Sequence, residues 1–161
     1  MDRIECGSAT GMLRVDNDGV GIAEFRGLMM PANFLALGML TMRAGIARRA
    51  VGLLYRNDQA AICCDAASMT AAYPTLPPAL RTLPVAFVVN AGQSELYQQV
   101  VQRAAAAGLL RRAFFDEAEA RAWLADTVQA LEANRSWWGA RRRLSTARSA
   151  VRGLPPRTAG A

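Results

Sequence analysis

Neither histidine nor lysine occurs among the 161 residues. Without histidine the chain lacks the commonest general base, the commonest metal ligand and any Ser-His or Cys-His nucleophile pair. Without lysine it cannot form a Walker-type phosphate loop, and GSATG at 7–11 has neither that loop's spacing nor a helix pattern behind it. Cysteine is scarce: Cys6, Cys63 and Cys64 make an odd count with two neighbours in sequence, which argues against a disulfide framework and for a reducing compartment. Long apolar runs are missing too. The longest, GLMMPANFLALGMLTM (27–42), is interrupted by Pro31 and Asn33 and falls short of the ~20 residues of a membrane span, so it reads as a buried helix. Asp2, Arg3 and Glu5 stand where a secretory leader would begin its apolar core. These absences predict a cytoplasmic, non-enzymatic protein with no cofactor and no metal.

Acidic residues are also missing from one region. Residues 1–133 carry twelve arginines against thirteen acids, whereas 134–161 carry seven arginines and no acid. The whole net charge of +6 therefore belongs to the last 28 residues. A body without excess charge argues against a nucleic-acid interface on the globular part and leaves any anionic partner to the tail. The arginine-only, alanine-rich composition suits a GC-rich bacterial genome.

What is present is the periodicity of an α/β domain. Two alternating runs, about 12–15 and 20–26, flank Asp16-Asn17-Asp18-Gly19 and predict an opening β-hairpin. That turn also explains the spacing of Asp16 and Asp18 without a calcium loop. Pro31 suits a first helical turn, and the apolar positions from Phe34 to Ile46 wrap a mostly buried helix. VGLLY (51–55), PVAFVVN (84–90) and LLRRAFF (109–115) read as strands, with 60–64 as an uncertain further one and 65–73 as a short helix stopped by Pro74. SELYQQVVQRAAAAG is a helix with a left-handed cap expected at Gly108. Asp116 and Glu119 have capping-box spacing at the start of the last helix, whose inward stripe is Ala120, Trp123, Leu124, Val128 and Leu131. The expected architecture is a mixed sheet of four or five strands with helices packed on it.

The order of these elements, and above all PVAFVVNAGQSELYQQVVQRAAAAGLLRRAFFDEAEARAWL (84–124), resembles the SpoIIAA-like, STAS-related single-domain proteins of bacteria over roughly residues 10–130. The resemblance implies an anti-anti-sigma-factor-like fold that works by binding a partner protein, switched by phosphorylation of a serine just after an aspartate. The nearest match is CCDAASMT, with Asp65 in place, alanines at 66 and 67, and Ser68 as the candidate phosphorylation site. Asp65 also reads as a plain helix cap.

The last segment, 134–153, reads as a basic amphipathic extension of a domain spanning 1–133, and 154–161 as a disordered tail. In a helical 136–152, Trp137, Ala140, Leu144, Ala147 and Val151 line one stripe bordered by Arg141, Arg143, Arg148 and Arg152. Trp137, Arg141, Arg143, Leu144, Arg148 and Arg152 are the candidate contacts to an anionic partner or membrane. Trp138 falls on nearly the opposite side, and Ser136 suits a second cap, so a helix break is expected within 134–139. The favoured function is a regulatory protein-interaction module with an unidentified protein partner or a second copy of the chain. The alternative is a peripheral protein held at the inner face of the membrane by this segment.

Overall fold

The computed structural model describes the backbone of residues 2–152 and the side chains of residues 3–136. Three antiparallel strands open the chain: β1 (Asp2–Cys6), β2 (Ala9–Val15) and β3 (Val20–Met29). The turn into β3 is built by Asp16, whose carboxylate accepts from the Asp18 and Val20 N–H groups at 3.1 and 2.9 Å while Gly19 takes φ +77°. Then α1 (Pro31–Ala47) leads to β4 (Gly52–Arg56) and β5 (Ala60–Ile62), followed by α2 (Ala66–Thr70) and α3 (Pro78–Arg81). β6 (Val85–Val88), α4 (Ser94–Ala106), β7 (Arg111–Phe114) and α5 (Glu117–Arg152) complete the order. Gly108 closes α4 with φ +70° as expected, and the Asp116 carboxylate accepts from the Glu119 N–H at 3.0 Å at the start of α5.

The α/β class is as expected, but the sheet has seven strands and not four or five. Its order is β1-β2-β3-β4-β6-β7, with β4, β6 and β7 parallel, and β5 paired to the far half of β3. β1 escaped the sequence reading because DRIEC carries charge at three of five positions. It is an edge strand, joined to β2 by a tight turn in which Gly7 takes φ +59° and Cys6 pairs with Ala9. β3, at ten residues, is long enough to pair with β4 over Val20–Glu24 and with β5 over Gly27–Met29.

Strand alternation sorts the core into two faces. Phe25, Leu53, Tyr55, Val85 and Phe87 pack with α1, α2 and α4 on one face. Ile22, Leu54, Ala86, Val88 and Phe114 pack on the other against Ala120, Leu124 and Trp123 of α5. The first face carries an aromatic row across three strands and α4: Phe25–Tyr55, Tyr55–Phe87 and Phe87–Tyr97, with centroids 5.1, 5.8 and 5.1 Å apart. Beside α5 the second face is polar. Arg56 lies 3.3 Å from Glu24 and 3.6 Å from Glu117, and Arg121 bonds Glu117 at 2.9 Å and Asp16 at 2.6 Å.

The chain divides into two compact units, one running to Val128 and one from Gln129. The helix break expected within 134–139 is absent: α5 is helical from Glu117 to Arg152, 36 residues. A glycine inside a helix costs only about 1 kcal/mol relative to alanine, so Gly139 does not stop a run of alanines and arginines whose first proline is Pro155. The side chains of Trp137, Arg141, Arg143, Leu144, Arg148 and Arg152 lie outside the described residues, as does the whole of 153–161, where a disordered tail was expected. Among the described residues no helix is long and apolar enough to cross a membrane.

Candidate functional site

An apolar pocket opens on the first face of the sheet, between α1 and the segment 69–76. Its floor is Phe25, Tyr55, Val85 and Phe87; α1 supplies Phe34, Leu35, Gly38, Met39 and Met42; Met69, Ala72, Tyr73 and Leu76 form the far wall. The empty space of pocket and mouth together is about 550 Å³, of which a water's centre can reach about 40 Å³. The first figure takes in open solvent at the mouth, so the second measures the cavity: it is narrow, with room for a few waters as it stands, and an organic ligand would need its walls to move. Four methionines and five aromatic side chains line it, and an unbranched thioether repacks more readily than a branched aliphatic chain.

α1 explains the opening. Its Leu37 is fully buried in the core, while Gly38, the next residue, lines the pocket and has no atom within 4 Å of where a Cβ would sit. The Gly38 carbonyl accepts from the Tyr55 hydroxyl at 3.2 Å, which ties the exposed edge of the pocket to its floor. Burial pushes the Tyr55 hydroxyl well above its ordinary pKa, so it stays a neutral donor.

Arg111 supplies the only formal charge in the lining. It is 7% exposed, and among the described residues no carboxylate lies within ion-pair distance of it. Its Nη1 donates to the Leu83 carbonyl and, at 2.9 Å, to that of Leu110. Its Nη2 donates to the Leu80 carbonyl at 3.4 Å and faces the Met42 sulfur at 3.9 Å. The Leu80 and Leu83 carbonyls lie at and just beyond the C-terminal end of α3, where backbone oxygens attract a cation. Burial pulls the guanidinium below its ordinary pKa, while the neighbouring Tyr73 and Tyr55 hydroxyls push the other way; it remains a cation.

At the carboxyl ends of β4 and β6 a second group of side chains locks the loops around the pocket. Asn57, also in the lining, donates to the Tyr97 hydroxyl at 2.7 Å, and both are buried. Gln93 Nε2 donates to the Asn57 and Ala60 carbonyls at 2.9 and 3.0 Å. Asn90 Nδ2 donates to the Asp58 carbonyl at 2.9 Å. These bonds are local scaffolding: the Asn57, Gln93 and Asn90 amides all donate to backbone or hydroxyl oxygens.

Asp65 caps α2, as its sequence position suggested. Its carboxylate accepts from the Ser68 N–H at 2.7 Å. That backbone bond, followed by one from the Ser68 hydroxyl, holds the Asp65 carboxyl below its ordinary pKa. Ser68 is half-buried, Ala67 is exposed, and Ala66, Met69 and Thr70 face inward. α2 thus covers the pocket with Met69 and carries Ser68 toward its outer side. Cys6, Cys63 and Cys64 are free thiols.

Ser68 is the one candidate site residue whose side chain is described, and it lies beside the pocket wall without lining it. Sequence reading missed Gly38 and Arg111. A signal for the second was present: two consecutive arginines in the strand LLRRAFF must point to opposite faces, so one of them enters the core. Gly38 gave the weaker signal of a helix-interior glycine with no cap to make. The chain matches no family model and no curated protein.

Proposed function

We propose that the chain is a non-enzymatic, STAS-like regulatory module that acts by contact with a partner protein. The observation that carries this reading is α2: a five-residue helix, capped by Asp65, whose inner residues seal a pocket and whose outer side offers Ala67 and Ser68. Phosphorylation of Ser68 would remove the hydroxyl that donates to Asp65 and set two negative groups against each other. A local charge change would thereby alter the contact surface at its cap. Photo-crosslinking from position 67 in cells tests the reading. One discrete protein adduct that disappears in Ser68→Asp is expected. No adduct from position 67 refutes contact through α2, and an adduct indifferent to Ser68→Asp refutes the switch.

The basic segment supports a second reading. From 134 to 152 the helix carries six arginines and no acid, a composition that attracts an anionic membrane by about 1 kcal/mol for each arginine near the surface. Peripheral attachment at the inner face of the membrane would follow. Co-sedimentation with anionic vesicles that is lost on deleting 134–161 favours it, and no co-sedimentation of the full chain removes it.

A further inference from the structure

We infer that the pocket between α1 and the 69–76 segment is a binding site for a small apolar monocarboxylate, its chain among the methionines and its carboxylate on Arg111.

Three independent features converge on this ligand. The first is charge. A buried cation is normally paired with an acid, because an unpaired one keeps most of its desolvation cost, yet the bonds of Arg111 go only to carbonyls and a thioether. Its Nη2 faces Met42 Sδ at 3.9 Å, and sulfur is a weak acceptor. A carboxylate oxygen there would form a charge-assisted bond, roughly twice as strong as a neutral one.

The second feature is Gly38. A glycine inside a 17-residue helix is worse than alanine by roughly 0.5–1 kcal/mol, and here nothing stands within 4 Å to exclude a Cβ. Gly38 lines the pocket at the half-exposed edge of α1, and the space where its Cβ would stand is open. Room is being kept where the fold alone would be more stable without it. The third is the wall chemistry. Met29, Met39, Met42 and Met69 surround the cavity, and such walls adapt to a flexible chain. One cation and few other polar groups suit a single negative charge; a phosphate would need more donors than the lining holds.

The test titrates the full chain with octanoate and with octanol, followed by calorimetry. One molecule of octanoate should bind saturably and about tenfold more tightly than octanol, the difference a charge-assisted hydrogen bond supplies. Arg111→Met should reduce octanoate to the affinity of octanol. Because Arg111 also ties three carbonyls, Gly38→Leu is measured beside it: the added side chain fills the mouth from α1, and both ligands should weaken about tenfold while circular dichroism stays unchanged. Absence of saturable octanoate binding up to about 5 mM, equal affinity for octanoate and octanol, or full octanoate affinity in Gly38→Leu would each overturn the assignment. None of these outcomes depends on the partner of α2.

Discussion

Two glycines of α1, seven residues apart, should respond to alanine in opposite directions. At both positions the backbone gain is the same, roughly 0.5–1 kcal/mol from restricting the unfolded chain and improving helix propensity. At Gly38 the new methyl meets nothing within 4 Å, so the whole gain should appear as stability. At Gly45 the methyl would stand 2.8 Å from Leu53 Cδ2, and Leu53 cannot retreat: it is fully buried, and a Cβ at Gly21 on β3 would lie 2.6 Å from the same carbon. Leu53 is held in a slot between two glycines. Overpacking of that kind costs about 1–3 kcal/mol, which leaves Gly45→Ala destabilised by roughly 0.5–2 kcal/mol after the backbone gain. Urea unfolding of the two variants measures the difference with one slope and one baseline. In a chain of this size each kcal/mol moves the melting temperature by about 2–4 °C, so thermal melts give a second reading. Equal midpoints for the two variants, or a loss of stability in Gly38→Ala, would refute the assignment of the open space and of the slot.

The remaining predictions use other contacts. Tyr97→Phe leaves the buried Asn57 amide without its acceptor and should cost about 1–3 kcal/mol in urea unfolding, whereas an exposed Tyr-to-Phe change would cost nothing measurable. Asp16 is held below its ordinary pKa although burial alone would raise it, because the Arg121 guanidinium and the Val20 and Asp18 N–H groups outweigh burial. A depressed carboxylate stabilises the fold above its unfolded pKa, and that contribution is lost as pH falls through the folded one. Stability should therefore decline from about pH 4 downward, and Asp16→Asn, which removes the Arg121 pair, should cost about 0.5–1 kcal/mol at pH 7 and flatten that decline. Cys64, whose thiol is pushed up by burial and then by Asp65 and Cys63, should alkylate more slowly at pH 8 than the exposed Cys63; mass mapping of a time course with equal rates at both would contradict this.

Much of the fold was legible because each element carried its own punctuation. The Asp-Gly turn before β3, Pro31 at the head of α1, Gly108 after α4 and Asp116 before α5 all act within a few residues, and local chemistry decides them. β1 was hidden because a charged edge strand lacks the apolar alternation that marks a half-buried one. The helix break failed for the opposite reason: a cap residue at Ser136 and a glycine at 139 are weak local signals, and helix propagation through their neighbours outweighs them. The pocket lay beyond sequence reading altogether. Arg111, Gly38 and Met69 are brought together from β7, α1 and α2, and no spacing along the chain encodes that meeting.

The two-partner strand β3 also sets an order of assembly. Its antiparallel contacts, to β2 and through β2 to β1, close loops of only a few residues within the first 29. Its parallel contacts, to β4 and β5, require the chain to return after about thirty residues and a helix. Loop-closure entropy and sequence separation favour the near contacts. The opening meander can thus exist as a template before the rest of the sheet arrives, with one side of β3 already satisfied. Its other side waits as unpaired backbone along the eight residues that later meet β4 and β5, the part of the folding chain most open to pairing with the wrong strand.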